Sequence, residues 1–228
     1  MASGQLAAGG GRWLEVAPER LARWLAGFAE RHGAPLEIDR NPEVVRYSAP
    51  DGAVAECHVP FPPLAAAADD TADDTDDHAT RAVAAHAAAD RLVGVILVRL
   101  GGYAVGVFEG ERLLASKVGS RLVHGRSAAG GWSQHRFARR RDKQAREALG
   151  AAAATAAAVL GPYAGRLDAV VFGGDRRAAD RLRADARLAP LFALAVDRFL
   201  TVPDPRLAVL RETPRRFRAV RIRLVDPE

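Results

Sequence analysis

Cysteine is nearly absent: Cys57 stands alone in 228 residues. This excludes an internal disulfide framework and any multi-cysteine zinc site. Lysine is almost as rare, with only Lys117 and Lys143 among 33 basic residues, so arginine carries the positive charge. No apolar run approaches the ~20 residues that a membrane span needs; the best stretch, residues 92–100, is too short and carries Arg99. The opening residues lack a basic region followed by a long apolar core, so no secretory signal is expected and a cytoplasmic location is predicted. No full dinucleotide fingerprint or P-loop pattern occurs. The carboxylates Asp69, Asp70, Asp73, Asp74, Asp76 and Asp77 lack the glycine and terminal glutamate of an EF-hand loop. Neither cofactor nor metal is expected.

The charge that is present is basic, 33 Lys and Arg against 28 Asp and Glu, with an isoelectric point near 10.1. Without the six carboxylates of the aspartate run, the 33 bases face only 22 acids. Such a surplus favours polyanionic partners through steering and counterion release. Abundant arginine and alanine also follow from a GC-rich genome, so the clustering of arginines says more than their number.

The pattern along the chain predicts an α+β protein. Residues 1–11 read as a disordered leader. Residues 18–32 show helical spacing at Leu21, Trp24, Leu25 and Phe28, with Pro18 at the start and Gly33 at the stop. Strand-like pieces follow at 36–38, 44–47 and 54–59, the last two joined by a turn at Pro50-Asp51-Gly52. Residues 12–62 therefore read as a small α+β module, and 63–90 as an Ala- and Asp-rich linker whose last part, 81–89, turns helical. From residue 91 onward, runs at 92–100, 103–109 and 112–118 are separated by Gly101-Gly102 and Gly110-Glu111, which predicts an antiparallel meander. The first of these is almost wholly apolar and is expected to be central, covered on both faces. A helix over 135–160, a strand over 167–172, a turn at Gly173-Gly174 and a helix over 175–187 capped by Asp175 come next. Strands over 191–196 and 219–225, with a short helix near 203–210 between them, complete a second domain spanning 91–228.

The densest chemistry lies between the meander and the long helix. The stretch His124-Gly-Arg-Ser-Ala-Ala-Gly-Gly-Trp-Ser-Gln134 is dominated by small residues, whose backbone goes where larger side chains cannot. Gln134 ends it. A glutamine is no strong base, but its amide offers two donors and an acceptor and can orient a water or a developing oxyanion. Arg136, Arg139, Arg140, Arg141, Lys143 and Arg146 follow, against Asp142 and Glu147. Arg136, Arg140 and Lys143 share a helix face by spacing, and Arg139 and Arg146 extend it; such a face suits RNA phosphates. On residue chemistry alone, a flexible surface loop whose last residue enters a helix is the better description of Gln134, whereas two acids against six bases favour RNA over a merely solvated face for the helix.

A meander, a glycine-rich loop ending in glutamine, a long basic helix, and then Asp168-Ala-Val-Val-Phe-Gly-Gly-Asp175 with a helix resemble the catalytic domain of eukaryotic and archaeal class-I peptide-release factors. The order is more similar to the Vms-like release factors, peptidyl-tRNA hydrolases that rescue stalled nascent chains and include a bacterial branch. The resemblance covers residues 91–225. It implies an RNase H-like mixed sheet with helices, and a loop glutamine that enters the peptidyl-transferase centre and helps water cleave the ester between peptide and tRNA. Gln134 then takes that role, with Gly130 and Gly131 shaping the tip and Ser133 beside them. Release factors proper carry Gly-Gly immediately before the glutamine; Trp132 and Ser133 intervene here, which favours the Vms-like branch. The implied partners are large-subunit ribosomal RNA and peptidyl-tRNA, bound by Arg136, Arg139, Arg140, Lys143 and Arg146. Trp132 either stacks on a nucleobase or packs against its own loop. The expected activity is codon-independent peptidyl-tRNA hydrolysis by a monomer that uses no membrane. The alternative is a non-enzymatic RNA- or ribosome-binding factor of the same fold.

Other chemistries fit less well. A histidine-based hydrolase would use His124 or His135, which read better as polar loop residues or RNA contacts. A metal-dependent nuclease needs carboxylates on its central strands, and residues 92–100 have none. Cys57 reads as a small core residue.

Overall fold

The computed structural model describes residues 5–7, 10–64, 76–99, 102–120 and 133–227. In chain order the elements are β1 (Gln5–Leu6), β2 (Arg12–Val16), α1 (Leu21–His32), β3 (Glu37–Arg40), β4 (Val44–Ser48), β5 (Val54–His58), α2 (Asp76–Ala88), β6 (Leu92–Arg99), β7 (Gly102–Glu109) and β8 (Arg112–Ser120). They continue with α3 (Ser133–Leu160), β9 (Ala169–Gly174), α4 (Arg176–Leu182), α5 (Ala189–Ala193), β10 (Ala195–Leu200), α6 (Leu207–Arg211), α7 (Thr213–Phe217) and β11 (Val220–Val225). The chain divides into two units, residues 1–89 with 215–228, and residues 90–214.

The first unit is an antiparallel sheet in the order β1-β2-β11-β5-β4-β3. Alternation builds it. Val220, Ile222 and Leu224 of β11 are buried, and Cys57 and Ala55 of β5, with Val45 and Tyr47 of β4 opposite them, join the same side of the sheet. In α1, Leu21, Leu25 and Phe28 recur at i, i+4 and i+7 and bury one stripe against this face. Gly33 ends that helix at φ +100°, donating its N–H to the Ala29 carbonyl at 2.8 Å. Each fully buried Leu or Phe contributes about 1.5–3 kcal/mol. The opposite face of the sheet carries Trp13, Arg221 and His58, with the Arg221 guanidinium 4.3 Å and the His58 ring 4.9 Å from the Trp13 rings.

Several expectations for this part of the chain need correction. Part of the 1–11 leader, Gln5–Leu6, pairs with β2 as a strand. Much of the 63–90 linker is α2, whose Ala79, Val83 and Ala87 lie fully buried at i, i+4 and i+8 in the first unit's core. Thr80 of the same helix meets Tyr47, hydroxyl to hydroxyl, at 3.2 Å. Alanine removes the bulk that would hold a helix away from the sheet, so a segment that looks bland by composition packs closely. The 219–225 strand, expected to complete the second domain, is β11 and lies between β2 and β5. Its one-sided burial suits a sheet with one helix-covered face.

The second unit is a mixed sheet in the order β10-β9-β6-β7-β8. The meander β6-β7-β8 is antiparallel, and β9 runs parallel to both β6 and β10. Every residue of β6 from Leu92 to Val98 is buried, as expected for a central strand covered on both faces. On one face Ala152, Ala153, Ala156 and Leu160 of α3 and Ala178, Ala179 and Leu182 of α4 make the core. A Cβ on Gly94 would stand 3.3 Å from Leu160, so glycine in the strand lets the helix settle close. A Cβ on Gly106 would stand 3.0 Å from the Leu210 side chain of α6.

Three local details differ from the sequence reading. The 175–187 helix stops at Leu182, because Asp185 takes an extended conformation and its side chain accepts from the Arg187 N–H at 3.1 Å, starting a 3-10 turn. The 191–196 strand is instead α5 followed by β10; Leu188 and Leu191 are buried one turn apart, and Pro190 sits in the first turn of α5. A short apolar run does not by itself separate helix from strand. Gly173-Gly174 ends β9 rather than forming a separate turn. A Cβ on Gly173 would lie 2.6 Å from the Leu200 carbonyl oxygen and one on Gly174 2.2 Å from that of Val98.

Candidate functional site

The edge strand β8 runs to Ser120 and α3 starts at Ser133. The interval read as loop 119–134 is therefore shorter at both ends, and Gln134 stands in the first turn of a helix. Gly130, Gly131, Trp132 and His124 lie outside the described residues. Ser133, Gln134, His135, Arg136, Arg139 and Arg140 are placed by the backbone of α3. Lys143 and Arg146 are exposed on the same helix.

The two halves of α3 do different work. From Lys143 onward, where its side chains are described, the buried residues of α3 begin at Ala152, and a small cavity beside Val98 and Tyr103 is lined from the helix side by Ala145, Ala148 and Leu149. Ahead of Ala145, residues 133–144 account for about 18 Å of helix at 1.5 Å per residue. Alanine-rich sequence lets the second half sit on the sheet. The first half holds the run of bases that follows Gln134.

One contact set fixes the helix relative to the strand that leads toward the glutamine. Tyr103 of β7 pairs in register with Gly119 of β8. A Cβ on Gly119 would stand 2.4 Å from the Tyr103 ring, so only glycine leaves room for that ring. The Thr155 hydroxyl of α3, nearly buried, donates to the Tyr103 hydroxyl at 3.1 Å. β7, the end of β8 and α3 are thus tied at one point. Sequence reasoning missed Tyr103, Gly119 and Thr155, since their meeting depends on strand register and on a helix more than thirty positions away.

At the same end of the sheet, where Val98 lies level with both Tyr103 and Gly174, Asp175 caps α4 as expected, accepting from the Ala178 N–H at 2.8 Å. Its carboxylate already faces the helix N-terminus, which disfavours a phosphate there. Cys57 is buried, and burial pushes its thiol upward, away from thiolate chemistry. Among the described residues, no group of His, Cys, Asp and Glu is arranged to hold a metal ion, and no helix is long and apolar enough to cross a membrane.

A family model described as the Actinobacteria/chloroflexi VLRF1 release factor matches residues 91–223. The chain belongs to this release-factor family. No curated protein matches it. Among solved structures it is similar to an archaeal protein at 17% identity and TM-score 0.41, with 73% of this chain and 48% of that one covered. It is also similar to the archaeal translation termination factor aRF1, at 16% identity and TM-score 0.44, covering 75% and 51% respectively. A third, the Vms1 mitochondrial localization core, aligns at 10% identity and TM-score 0.38 over 89% of this chain and 80% of its own. The chain spans about half the length of the two archaeal structures. The matched span of the family model contains β6, the basic run of α3 and the interval between β8 and α3.

Proposed function

We propose that the protein is a codon-independent peptidyl-tRNA hydrolase that frees stalled nascent chains from the large ribosomal subunit, acting as a cytoplasmic monomer without a cofactor. One observation carries the reading: in a chain of a release-factor family, Gln134 occupies the first turn of a helix whose next residues are basic and whose far half is seated on the sheet. The far half of that helix is packed into the core of its unit, and its first turn carries the one amide of the loop sequence.

The chemistry asked of such a head is modest. Gln134 holds one water against the carbonyl carbon of the peptidyl ester. The water oxygen bonds to that carbon and the bond to the ribose oxygen breaks; one water proton passes to the ribose oxygen and the other to solvent, leaving a free peptide carboxylate and tRNA. An ester needs no protein nucleophile, and orientation alone removes much of the barrier. Gly130 and Gly131 permit close backbone approach, Ser133 adds a hydroxyl beside the glutamine, and Trp132 offers a ring to RNA. Arg136, Arg139, Arg140, Lys143 and Arg146 bind ribosomal RNA phosphates along the helix.

Purified large subunits bearing peptidyl-tRNA provide the test. Gln134→Ala is expected to slow peptide release by about 10²–10³-fold, the scale for losing a polar group that stabilises developing charge, while subunit binding persists. Release at the wild-type rate would remove the catalytic assignment and leave a non-enzymatic ribosome-binding factor.

A further inference from the structure

An open cleft of about 600 Å³ separates α3 from α4 and the segment after it. Arg146, Leu149 and Ala153 line it from α3, and Arg181, Leu182 and Asp185 from the other side. The middle is aliphatic and the rims are charged. Asp185 is committed elsewhere: it accepts from the Arg187 side chain at 2.9 and 2.6 Å and from its N–H at 3.1 Å. These bonds hold its carboxyl below the ordinary range. Arg146 and Arg181 are exposed and set the sign of the cleft.

Each arginine also heads a row. Lys143 precedes Arg146 by three residues on α3, and Arg177 precedes Arg181 by four on α4, all four exposed. Residues at these spacings neighbour one another on a helix surface. The cleft therefore lies beside the Lys143–Arg146 row of α3. A Cβ on Gly150, which also lines the cleft, would meet nothing within 4 Å, so the wall is low there.

We propose that this cleft is a second RNA contact, receiving the sugar–phosphate backbone of a double-helical RNA segment with Arg146 and Arg181 on its phosphates. This rests on the reading of the protein as a ribosome-bound factor and adds α4 to its RNA-binding surface. Duplex is favoured over single strand because splayed bases are held by stacking on rings, and the lining contains none. Two basic rows flanking an aliphatic floor suit a backbone read by charge and shape, without sequence preference.

The test uses the full chain and a fluorescent RNA hairpin, with purified large subunits in parallel, over a salt series. Arg146→Gln and Arg181→Gln are each expected to reduce the slope of log affinity against log salt by about 1, whereas Arg166→Gln, at an exposed position outside the cleft, leaves it unchanged. Polyuridylate is expected to compete less well than the hairpin. Unchanged slopes in both cleft variants would overturn the proposal, as would a polyglutamate peptide whose binding, rather than that of RNA, depends on the two arginines. Peptide release by Gln134→Ala is a separate readout. Wild-type release by that variant with flattened slopes in the cleft variants would end the hydrolase reading and keep the cleft.

Discussion

Replacing Gly174 with alanine tests how β9 hands the chain to α4. Gly174 has φ +102°, a region that L side chains rarely adopt, and its missing Cβ would fall 2.2 Å from the Val98 carbonyl oxygen. That oxygen belongs to the backbone of the central strand, so it cannot swing aside as a side-chain tip would. It also accepts the Asp175 N–H at 2.8 Å, and Asp175 is the residue that caps α4. An alanine must therefore strain its own backbone, at about 1–3 kcal/mol, and displace β6 or break this bond, at about 1–3 kcal/mol more. A loss of roughly 3 kcal/mol lowers Tm by on the order of 10 °C in a unit of this size. Gly150→Ala supplies the opposite sign. It lies inside α3 with open space where a Cβ would go, and glycine costs a helix interior about 1 kcal/mol relative to alanine. Urea titration and calorimetry of both variants provide the measurement. A Gly174→Ala protein within 1 kcal/mol of wild type, or a destabilised Gly150→Ala, would refute the reasoning.

Two further outcomes follow from particular contacts. His58 has its pKa lowered, first by burial and then by the charge of Arg221, with Arg223 acting in the same direction and Glu56 and Glu43 opposing. A histidine that is harder to protonate when folded draws the protein toward unfolding as pH falls through its ordinary value of about 6.5. Wild type is thus expected to lose more stability than His58→Gln between about pH 7.5 and 5.5, and parallel Tm curves would contradict this. The lowered carboxyl of Asp51, bonded to the Ala53 N–H and to His32, acts in the acid range below that window. Tyr103→Phe removes the acceptor of the nearly buried Thr155 hydroxyl and is expected to cost about 0.5–1.5 kcal/mol; a neutral result in urea titration would mean that water satisfies Thr155 instead.

Elements written in nearest-neighbour chemistry were readable from sequence. α1 follows from its apolar stripe between Pro18 and Gly33, and the two hairpins of the second unit from glycine-bearing connections. The same holds for the basic run after Gln134, whose meaning is local charge. What stayed hidden depends on distance. Alternation marks residues 220–225 as a strand, but nothing within the strand says which sheet it enters. The alanines of α2 look like spacer until the close approach they allow is seen. Asp185 stops α4 through a side-chain bond to Arg187, a local event that helical periodicity does not register. Arg181 was one arginine among many until packing set it across a cleft from Arg146.

The position of β11 has a consequence for synthesis. It lies between β2 and β5, with residues 90–214 intervening in the chain. At about 5–20 residues per second, the ribosome delivers β11 on the order of 10 s after its partners. During that wait β2 and β5 each present an open hydrogen-bonding edge, the kind of surface on which aggregation begins. The second unit has local pairings of its own and can fold first, so the earlier sheet matures later. A product truncated anywhere within residues 90–214 would carry both open edges permanently, so incomplete copies of this protein keep the pairing surface that the full chain hides.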